Sequence, residues 1–164
     1  MLYNFPMSQF FFENGEVILS LLLALGLGMV IGAERVFVHK EAGMKTHSLV
    51  SMGAALFIIV SETVAAKYAN FGDFDPMRVA SQVVVGIGFL GAGIIMFQNN
   101  RLRGLTTAGG LWVTAGIGMA AGFQLYALAT ITTFFVLCVF VLMNIVEKPI
   151  KRFVANTADR EDML

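Results

Sequence analysis

The distribution of charged and uncharged positions divides the chain into long apolar runs separated by short charged stretches. The uncharged runs cover residues 17–33, 46–61, 79–100 and 104–146, and the last is 43 residues long. A helix needs about 20 apolar residues to cross the hydrocarbon core of a bilayer, so the last run suffices for two crossings. It breaks most naturally at residues 122–124, where a glycine stands close to the polar Gln124. The pattern predicts an all-α polytopic membrane protein with five transmembrane helices.

Local signals place some of the helix ends. Asp75 followed by Pro76 is typical of a helix start, with a carboxylate as N-cap and proline at the first helical position. Pro149 predicts that the fifth helix ends before residue 147. These limits give an N-terminal segment over 1–16, a transmembrane domain over 17–146 and a charged tail over 147–164.

Composition agrees with this class. Apolar residues make up 57% of the chain and charged residues 13%, about half the charged fraction of a soluble domain. The zero net charge gives no reason to expect nucleic acid as a partner. Residues 1–16 contain no Lys or Arg, so we expect the first apolar run to be retained as a span and not removed as a signal peptide.

The basic residues predict the orientation. In a five-span arrangement nine of the 11 Lys and Arg residues fall on one side, and Lys67 and Arg78 fall on the other. The positive-inside rule places the nine in the cytoplasm, with the N-terminus outside and the C-terminus inside. All three tyrosines then lie at or beyond the outer boundary.

Glycine is the second signature of the sequence. In lipid, helices associate mainly by close packing at small residues, and Gly28/Gly32 and Gly118/Gly122 have the spacing that stacks them on one helix face. We expect the first, third and fourth helices to form the tightly packed core, and the fifth to face lipid. We further expect crowded contacts at three glycines of the third helix: Gly88, Gly91 and Gly93. Glycine-bearing helix faces that are not packed within one protomer would support a homo-oligomer, with a dimer favoured.

The polar residues suggest two candidate sites. Glu34 sits at the unfavourable C-terminal end of a helix, so we expect basic neighbours to compensate it. The predicted cytoplasmic cluster comprises Glu34, Arg35, Lys45, His47, Arg101 and Arg103. It is either an ion-pair lattice between helices or a binding site for a partner or an anion.

At the outer face, a cation site or a set of ion pairs would draw on Glu62, Asp73, Asp75 and Arg78. Paired carboxylates can hold a hydrated Mg²⁺, although Asp75 is better explained as an N-cap. Trp112 is expected to be a packing residue in mid-span. The sequence contains no catalytic triad and no zinc-ligand spacing, so we predict no enzyme, no cofactor and no dedicated metal site.

The chain resembles the MgtC/SapB family of bacterial membrane proteins. The resemblance rests on motifs between residues 26 and 126: I-G-A-E-R ending at Arg35, A-G-M-K-T-H ending at His47, D-P-M-R from Asp75, Q-V-V-V-G-I-G-F-L-G-A-G from Gln82, R-G-L-T-T from Arg103, and L-W ending at Trp112. The family motif residues are then Asp75, Arg78, Gln82, Gly86, Gly88, Gly91, Gly93, Thr106, Thr107 and Trp112. We expect the chain to correspond to the family's membrane domain without the C-terminal ACT-like domain that virulence-associated members carry.

The resemblance implies an inner-membrane protein associated with growth in low Mg²⁺ and, in pathogens, with survival inside macrophages. Family members are regarded as regulators, and F-type ATP synthase is among their proposed targets. Two functions therefore stay open. The first is a regulator that binds other membrane proteins, and the alternative is a small transporter or channel for Mg²⁺ or another ion.

Overall fold

The computed structural model describes residues 14–69, 74–98 and 101–161, with side chains described as far as residue 147 and at 149. Within these ranges the chain forms five helices and one short hairpin. They are α1 (Gly15–Phe37), α2 (Met44–Lys67), α3 (Pro76–Ile94), β1 (Met96–Gln98), β2 (Arg101–Arg103), α4 (Leu105–Gly122) and α5 (Tyr126–Glu161). The all-α membrane class is confirmed, with the hairpin as an addition that the apolar pattern did not predict.

Four of the described helices are long and apolar enough to cross a membrane: α1, α2, α3 and the first 22 residues of α5. The remaining helix, α4, has 18 residues and is rich in glycine, alanine and threonine. Ten of its residues are buried. The prediction of five helices is thus confirmed, and α4 is distinguished from the other four by lying inside the bundle they form.

The core of the bundle is built around α2, with α1 and α4 packed on it. A Cβ added to Gly28 would lie 2.5 Å from the carbonyl oxygen of His47, and one added to Gly118 would lie 2.0 Å from that of Ser51. Gly32 and Gly122 approach α2 or the residue before it equally closely. The glycine faces of α1 and α4 are therefore consumed inside the protomer. The expected core of the first, third and fourth helices is wrong, because α2 and not α3 receives these faces.

Helices α3 and α5 lie at the periphery. Only three of the 19 residues of α3 are buried, and α5 carries the exposed apolar side chains expected of a lipid-facing helix. Gly88 and Gly93 have no atom within 4 Å of an added Cβ, and Gly91 makes an ordinary 3.5 Å contact with Ala108. The predicted crowding at these three glycines is wrong, since α3 turns most of its glycine surface away from the bundle.

Two helix ends lie where the local sequence signals predicted them. Asp75 caps α3, accepting a 2.8 Å hydrogen bond from the amide of Met77 as predicted. The break after Gly122 is also confirmed, and Gln124 adopts a left-handed backbone there with φ of 60°.

Two ends differ from the sequence prediction. Helix α3 ends at Ile94, and the chain then forms the hairpin, in which Phe97 pairs with Leu102. Helix α5 continues through Pro149 to Glu161, so the predicted end before residue 147 is wrong. Proline removes one backbone donor, but the residues on either side are compatible with a helix and continue it.

Candidate functional site

A polar group lies inside the apolar bundle, near the end that carries most of the basic residues. Arg35 and His47 are 1% and 0% exposed, respectively, and ionisable side chains that face the interior of a membrane bundle are candidates for function. We call this group the buried polar centre. It comprises Glu34, Arg35, His47, Thr114 and Asn144.

Arg35 is neutralised and covered by its neighbours. Its guanidinium forms an ion pair with the Glu34 carboxylate and stacks over the Phe140 ring, 3.5 Å from the ring centroid. The second carboxylate oxygen of Glu34 accepts a 3.1 Å hydrogen bond from the Asn144 side chain. The acid at the unfavourable end of α1 is therefore compensated by the next residue and by α5. A cation over an aromatic face is more strongly stabilised when water is excluded.

His47 is fixed by a chain of hydrogen bonds between α2 and α4. The Thr114 hydroxyl donates to the Gly110 carbonyl at 2.8 Å and lies 2.9 Å from Nδ1 of His47. Because a hydroxyl has a single proton to donate, Nδ1 of His47 must be the donor to Thr114. Nε2 is buried and has no hydrogen-bond partner among the described residues.

Gly110 provides the space for this arrangement. A Cβ at this position would lie 3.1 Å from the Phe140 ring and 3.5 Å from Cε1 of His47. A side chain here would press on both the aromatic cover of Arg35 and the histidine. The second glycine of the Gly109-Gly110 pair is thus part of the centre, whereas Gly109 is open, with no atom within 4 Å of an added Cβ.

Serine hydroxyls extend the polar character along α2. Ser48, Ser51 and Ser61 are buried, and their hydroxyls have no hydrogen-bond partner among the described residues. A buried hydroxyl without a partner typically costs about 1–3 kcal/mol. The inner face of α2 therefore carries buried hydroxyls near both of its ends, with the apolar Ala54, Ala55 and Ile58 between Ser51 and Ser61.

The structure divides the predicted cytoplasmic cluster into two groups. Glu34, Arg35 and His47 lie in the interior, whereas Lys45, Arg101 and Arg103 are exposed. The acid beside Arg103 is Glu41, in the connection between α1 and α2, and its carboxylate accepts a 2.8 Å hydrogen bond from the buried Thr107 hydroxyl. The contacts do not join Glu34 and Arg103 in a single cluster.

Glu41 joins the two helical hairpins electrostatically. Hydrogen bonds from its own backbone amide and then from Thr107 hold the pKa of this carboxyl below its usual value, and the charges of Lys40 and Arg103 act in the same direction. The carboxylate also lies near the first turn of α4, where the helix dipole favours a negative charge. Thr107, a motif residue, is thereby given a definite contact.

The outer-face candidates are not assembled into a metal site in the part of the chain that the structure describes. Glu62, Asp75 and Arg78 are exposed, and Asp75 is engaged as the cap of α3, while Asp73 lies outside the described residues. No group of three or more His, Cys, Asp or Glu side chains able to hold a metal ion occurs among the described residues.

Two further motif residues lie on the surface. Trp112 is 55% exposed on α4, so its expected role in packing is wrong. Gln82 is exposed on α3 and lines a groove of about 540 Å³ between α2 and α3, which is also lined by Gly53, Gly86 and Ala115.

Sequence reasoning missed two polar members of the centre, together with the aromatic ring that covers Arg35 and the acid in the connection between α1 and α2. Thr114, Asn144 and Phe140 come from helices read as uniform apolar spans, and Glu41 was not singled out. One signal was available: His47 and Ser51 are four residues apart, which places them on one face of a helix. A polar stripe at this spacing in an apolar run indicates an inward-facing side.

Comparison with known proteins agrees with this architecture. Residues 21–149 match the MgtC family, which covers most of the chain and both ends of the buried polar centre. The chain belongs to the MgtC family. This family membership and the four apolar helices establish a multi-pass membrane protein.

Two curated relatives show the extent of the similarity. The chain is 44% identical over 127 residues to Protein MgtC of Salmonella typhimurium strain LT2, covering 77% of this chain and 52% of that protein. It is 45% identical over 118 residues to Protein MgtC of Brucella abortus strain 2308, covering 72% of this chain and 47% of that protein. The chain thus spans about half the length of these relatives. No solved structure matches it.

Proposed function

We propose that this MgtC-like protein is a regulator in the inner membrane that acts by binding other membrane proteins during adaptation to low Mg²⁺ and, in pathogens, during survival inside macrophages. The observation that carries the proposal is the uncovered glycine face of α3. Gly86 and Gly93 are seven residues apart and so lie on one face of this membrane-spanning helix, and neither has an atom within 4 Å of an added Cβ. The backbone of α3 is therefore accessible to a helix of another protein.

The groove beside this face fits a helix better than it fits lipid alone. The groove is lined mainly by apolar side chains. At Gly53 and Gly86 no side chain would keep the backbone of a second helix at a distance. Gln82 adds a polar group at one end and makes no hydrogen bond within the described residues. Interhelical hydrogen bonds from such side chains and close packing at glycines are the two forces that associate helices in lipid.

The alternative is a small transporter or channel for Mg²⁺ or another ion. The observation in its favour is the set of three buried serine hydroxyls on α2, which have no hydrogen-bond partner among the described residues. Oxygen ligands of this kind are compatible with Mg²⁺, but cation sites in proteins usually include carboxylates. Glu34, the carboxylate of the buried polar centre, is already paired with Arg35 and is therefore not free to hold a cation.

The test of the regulator uses substitution at the open face. The purified protein is reconstituted with F-type ATP synthase, the target that the family resemblance indicates, and ATP-driven proton pumping is measured. We expect the wild-type protein to alter pumping and Gly86→Leu to lose most of this effect, because leucine fills the groove. Gly26→Leu is the matched control, since Gly26 on α1 also has no atom within 4 Å of an added Cβ.

The same vesicles separate the two functions. They are loaded with a Mg²⁺-sensitive dye, and ion entry is followed with the protein alone. We expect no flux above that of protein-free vesicles. Flux at carrier or channel rates, abolished by Ser51→Val but unaffected by Gly86→Leu, would overturn the regulator in favour of the transporter. Equal effects of Gly86→Leu and Gly26→Leu on pumping would show that the α3 face is not the docking surface.

A further inference from the structure

The hairpin of β1 and β2 has two chemically different faces. Its register pairs Phe97 with Leu102, and the flanking pairs are Met96 with Arg103 and Gln98 with Arg101. Residues directly opposite each other in an antiparallel pair point to the same side, and successive residues alternate between sides. Phe97 and Leu102 therefore form an apolar face, while Arg101 and Arg103 lie on the other face.

Both faces are uncovered by the rest of the described chain. Phe97 is 71% exposed and Leu102 is 58% exposed, values that are high for large apolar side chains at the end of a bundle. Arg101 and Arg103 are also exposed. An amphipathic element of this kind, with apolar side chains on one face and arginine on the other, is suited to lie in a membrane interface.

The short connections to α3 and α4 determine how deep the hairpin lies relative to the membrane spans. The hairpin starts two residues after the end of the membrane-spanning α3 and finishes two residues before the start of α4. Gly104 closes it with φ of 86°, and a Cβ there would lie 2.3 Å from the carbonyl oxygen of Ile94. This contact requires glycine and holds the second strand against the end of α3. The hairpin is therefore at the boundary between the apolar spans and water.

Residues near the hairpin include both exposed apolar and exposed basic side chains, as its two faces do. On α3, which leads into the hairpin, Phe89 and Leu90 are 81% and 51% exposed, so apolar side chains are also exposed just before the hairpin. The exposed Lys45 lies at the start of α2, at the same end of the bundle as the hairpin. The charge of Arg103 acts on Glu41, and among the described residues neither Arg101 nor Arg103 forms an ion pair with an acid.

We propose that the hairpin is a lipid-binding element that lies in the membrane interface and binds anionic phospholipid. Phe97 and Leu102 enter the boundary between headgroups and acyl chains, and Arg101 and Arg103 bind the lipid phosphate. The planar guanidinium forms paired hydrogen bonds to phosphate oxygens, which suits this ligand. Juxtamembrane basic residues are attracted to the negative surface potential of anionic lipid. The proposal is independent of the regulatory role, because it concerns a different surface.

The depth of the apolar face can be measured by fluorescence. In a Trp112→Phe background, Phe97→Trp is compared with Gln98→Trp, which reports from the opposite face of the same strand. Both are reconstituted in bilayers that contain lipids brominated near the glycerol end of the acyl chain. We expect strong quenching and a blue-shifted emission for Phe97→Trp, and weaker quenching for Gln98→Trp. Equal quenching at the two positions, or ready access of aqueous iodide to Phe97→Trp, would overturn the proposed orientation.

The lipid preference is tested with the arginines. The protein is placed in nanodiscs of phosphatidylcholine with a minor fraction of phosphatidylglycerol, and the lipid retained after detergent extraction is quantified by mass spectrometry. We expect the enrichment of phosphatidylglycerol to fall about five-fold when Arg101 is replaced by glutamine, and less for Arg103→Gln because the charge of Glu41 already acts on Arg103. Arg78→Gln, at the other end of the bundle, should leave it unchanged.

Competition with inorganic phosphate shows whether the arginines bind a phospholipid headgroup or a free phosphate ion. Excess phosphate should not displace the retained lipid, because it cannot supply the apolar contacts of Phe97 and Leu102. Displacement by phosphate would reduce the site to a free-anion site and overturn the lipid assignment. Unchanged enrichment in the Arg101→Gln, Arg103→Gln double variant would overturn the role of the arginines, provided that its melting temperature matches that of the wild type.

Discussion

At the scale of single residues, neighbouring glycines of α1 and α4 differ sharply in what surrounds them, and the crowded ones are the two pairs with four-residue spacing. Gly28, Gly32, Gly118 and Gly122 meet backbone or side-chain atoms closer than 3 Å to an added Cβ. Gly26 and Gly116, each two positions away on the same helices, meet nothing within 4 Å. The difference is one of direction around the helix, since only the first group faces α2.

This contrast predicts opposite effects of alanine at two neighbouring positions of α4. Gly118→Ala should lower the free energy of unfolding by about 1–3 kcal/mol or more, because its Cβ collides with the rigid backbone of Ser51. Gly116→Ala should be neutral or stabilising by up to roughly 1 kcal/mol, since alanine favours the helix and meets no obstacle. Denaturation in a mild detergent, with both variants at equal concentration, measures the difference. Equal stability of the two variants would contradict the packing of α4 on α2.

At the scale of elements, polar contacts connect helices that close packing alone would leave free to rotate. The His47 to Thr114 hydrogen bond joins α2 to α4, and the Arg35 to Phe140 contact joins α1 to α5. At the other end of the bundle, the Ser20 and Tyr126 hydroxyls lie 2.9 Å apart and connect α1 to α5 again. Buried hydrogen bonds of this type fix which faces meet.

The joint between α2 and α4 can be tested by removing one hydroxyl. Thr114→Val keeps the shape of the side chain but leaves Nδ1 of the buried His47 without an acceptor, which should cost about 1–3 kcal/mol of unfolding free energy. Thr114→Ser should retain most of the stability. Thr130→Val is the control, because the exposed Thr130 hydroxyl bonds only to its own helix at the Tyr126 carbonyl. Thermal unfolding in detergent would refute the joint if Thr114→Val melted with Thr130→Val.

At the scale of the whole molecule, two helical hairpins, α1 with α2 and α3 with α4, are held together at their basic end by Glu41. This carboxylate reaches from the first hairpin to Thr107 in the second. Its pKa is lowered, chiefly by hydrogen bonds from its own amide and from Thr107. Its stabilising contribution is thus present above the usual pKa of a glutamate and is lost as pH falls through the lowered pKa of the folded state.

This linkage predicts an acid-dependent part of stability that depends on Thr107. The wild-type protein should lose stability on acidification through the glutamate range, and Thr107→Val should lose less, because part of the contribution is already absent. Thr106→Val is the matched control, since Thr106 is adjacent but exposed. Melting temperatures of the three proteins between neutral and acidic pH provide the measurement. Identical pH dependence in all three would show that the contact does not stabilise the fold.

The sequence by itself determined the features that depend on local chemistry. The apolar runs indicated the five helices, Asp75 with Pro76 specified the start of α3, and the polar Gln124 after Gly122 specified the turn between α4 and α5. Each of these is decided within a few residues, by the need to satisfy backbone hydrogen bonds in lipid or to end a helix. The motifs around Gln82 and Arg103 also indicated the family.

The tertiary structure decided the features that need a second surface. A glycine pattern shows that a helix can be approached closely, but only the structure shows that α2 is the common neighbour, with His47 and Ser48 against α1 and Ser51 and Ala55 against α4. Likewise, Glu34 is hydrogen-bonded to Asn144, 110 residues away, and not paired with Arg103, because α5 packs beside α1. Long-range packing, which no short stretch of sequence encodes, settled each of these contacts.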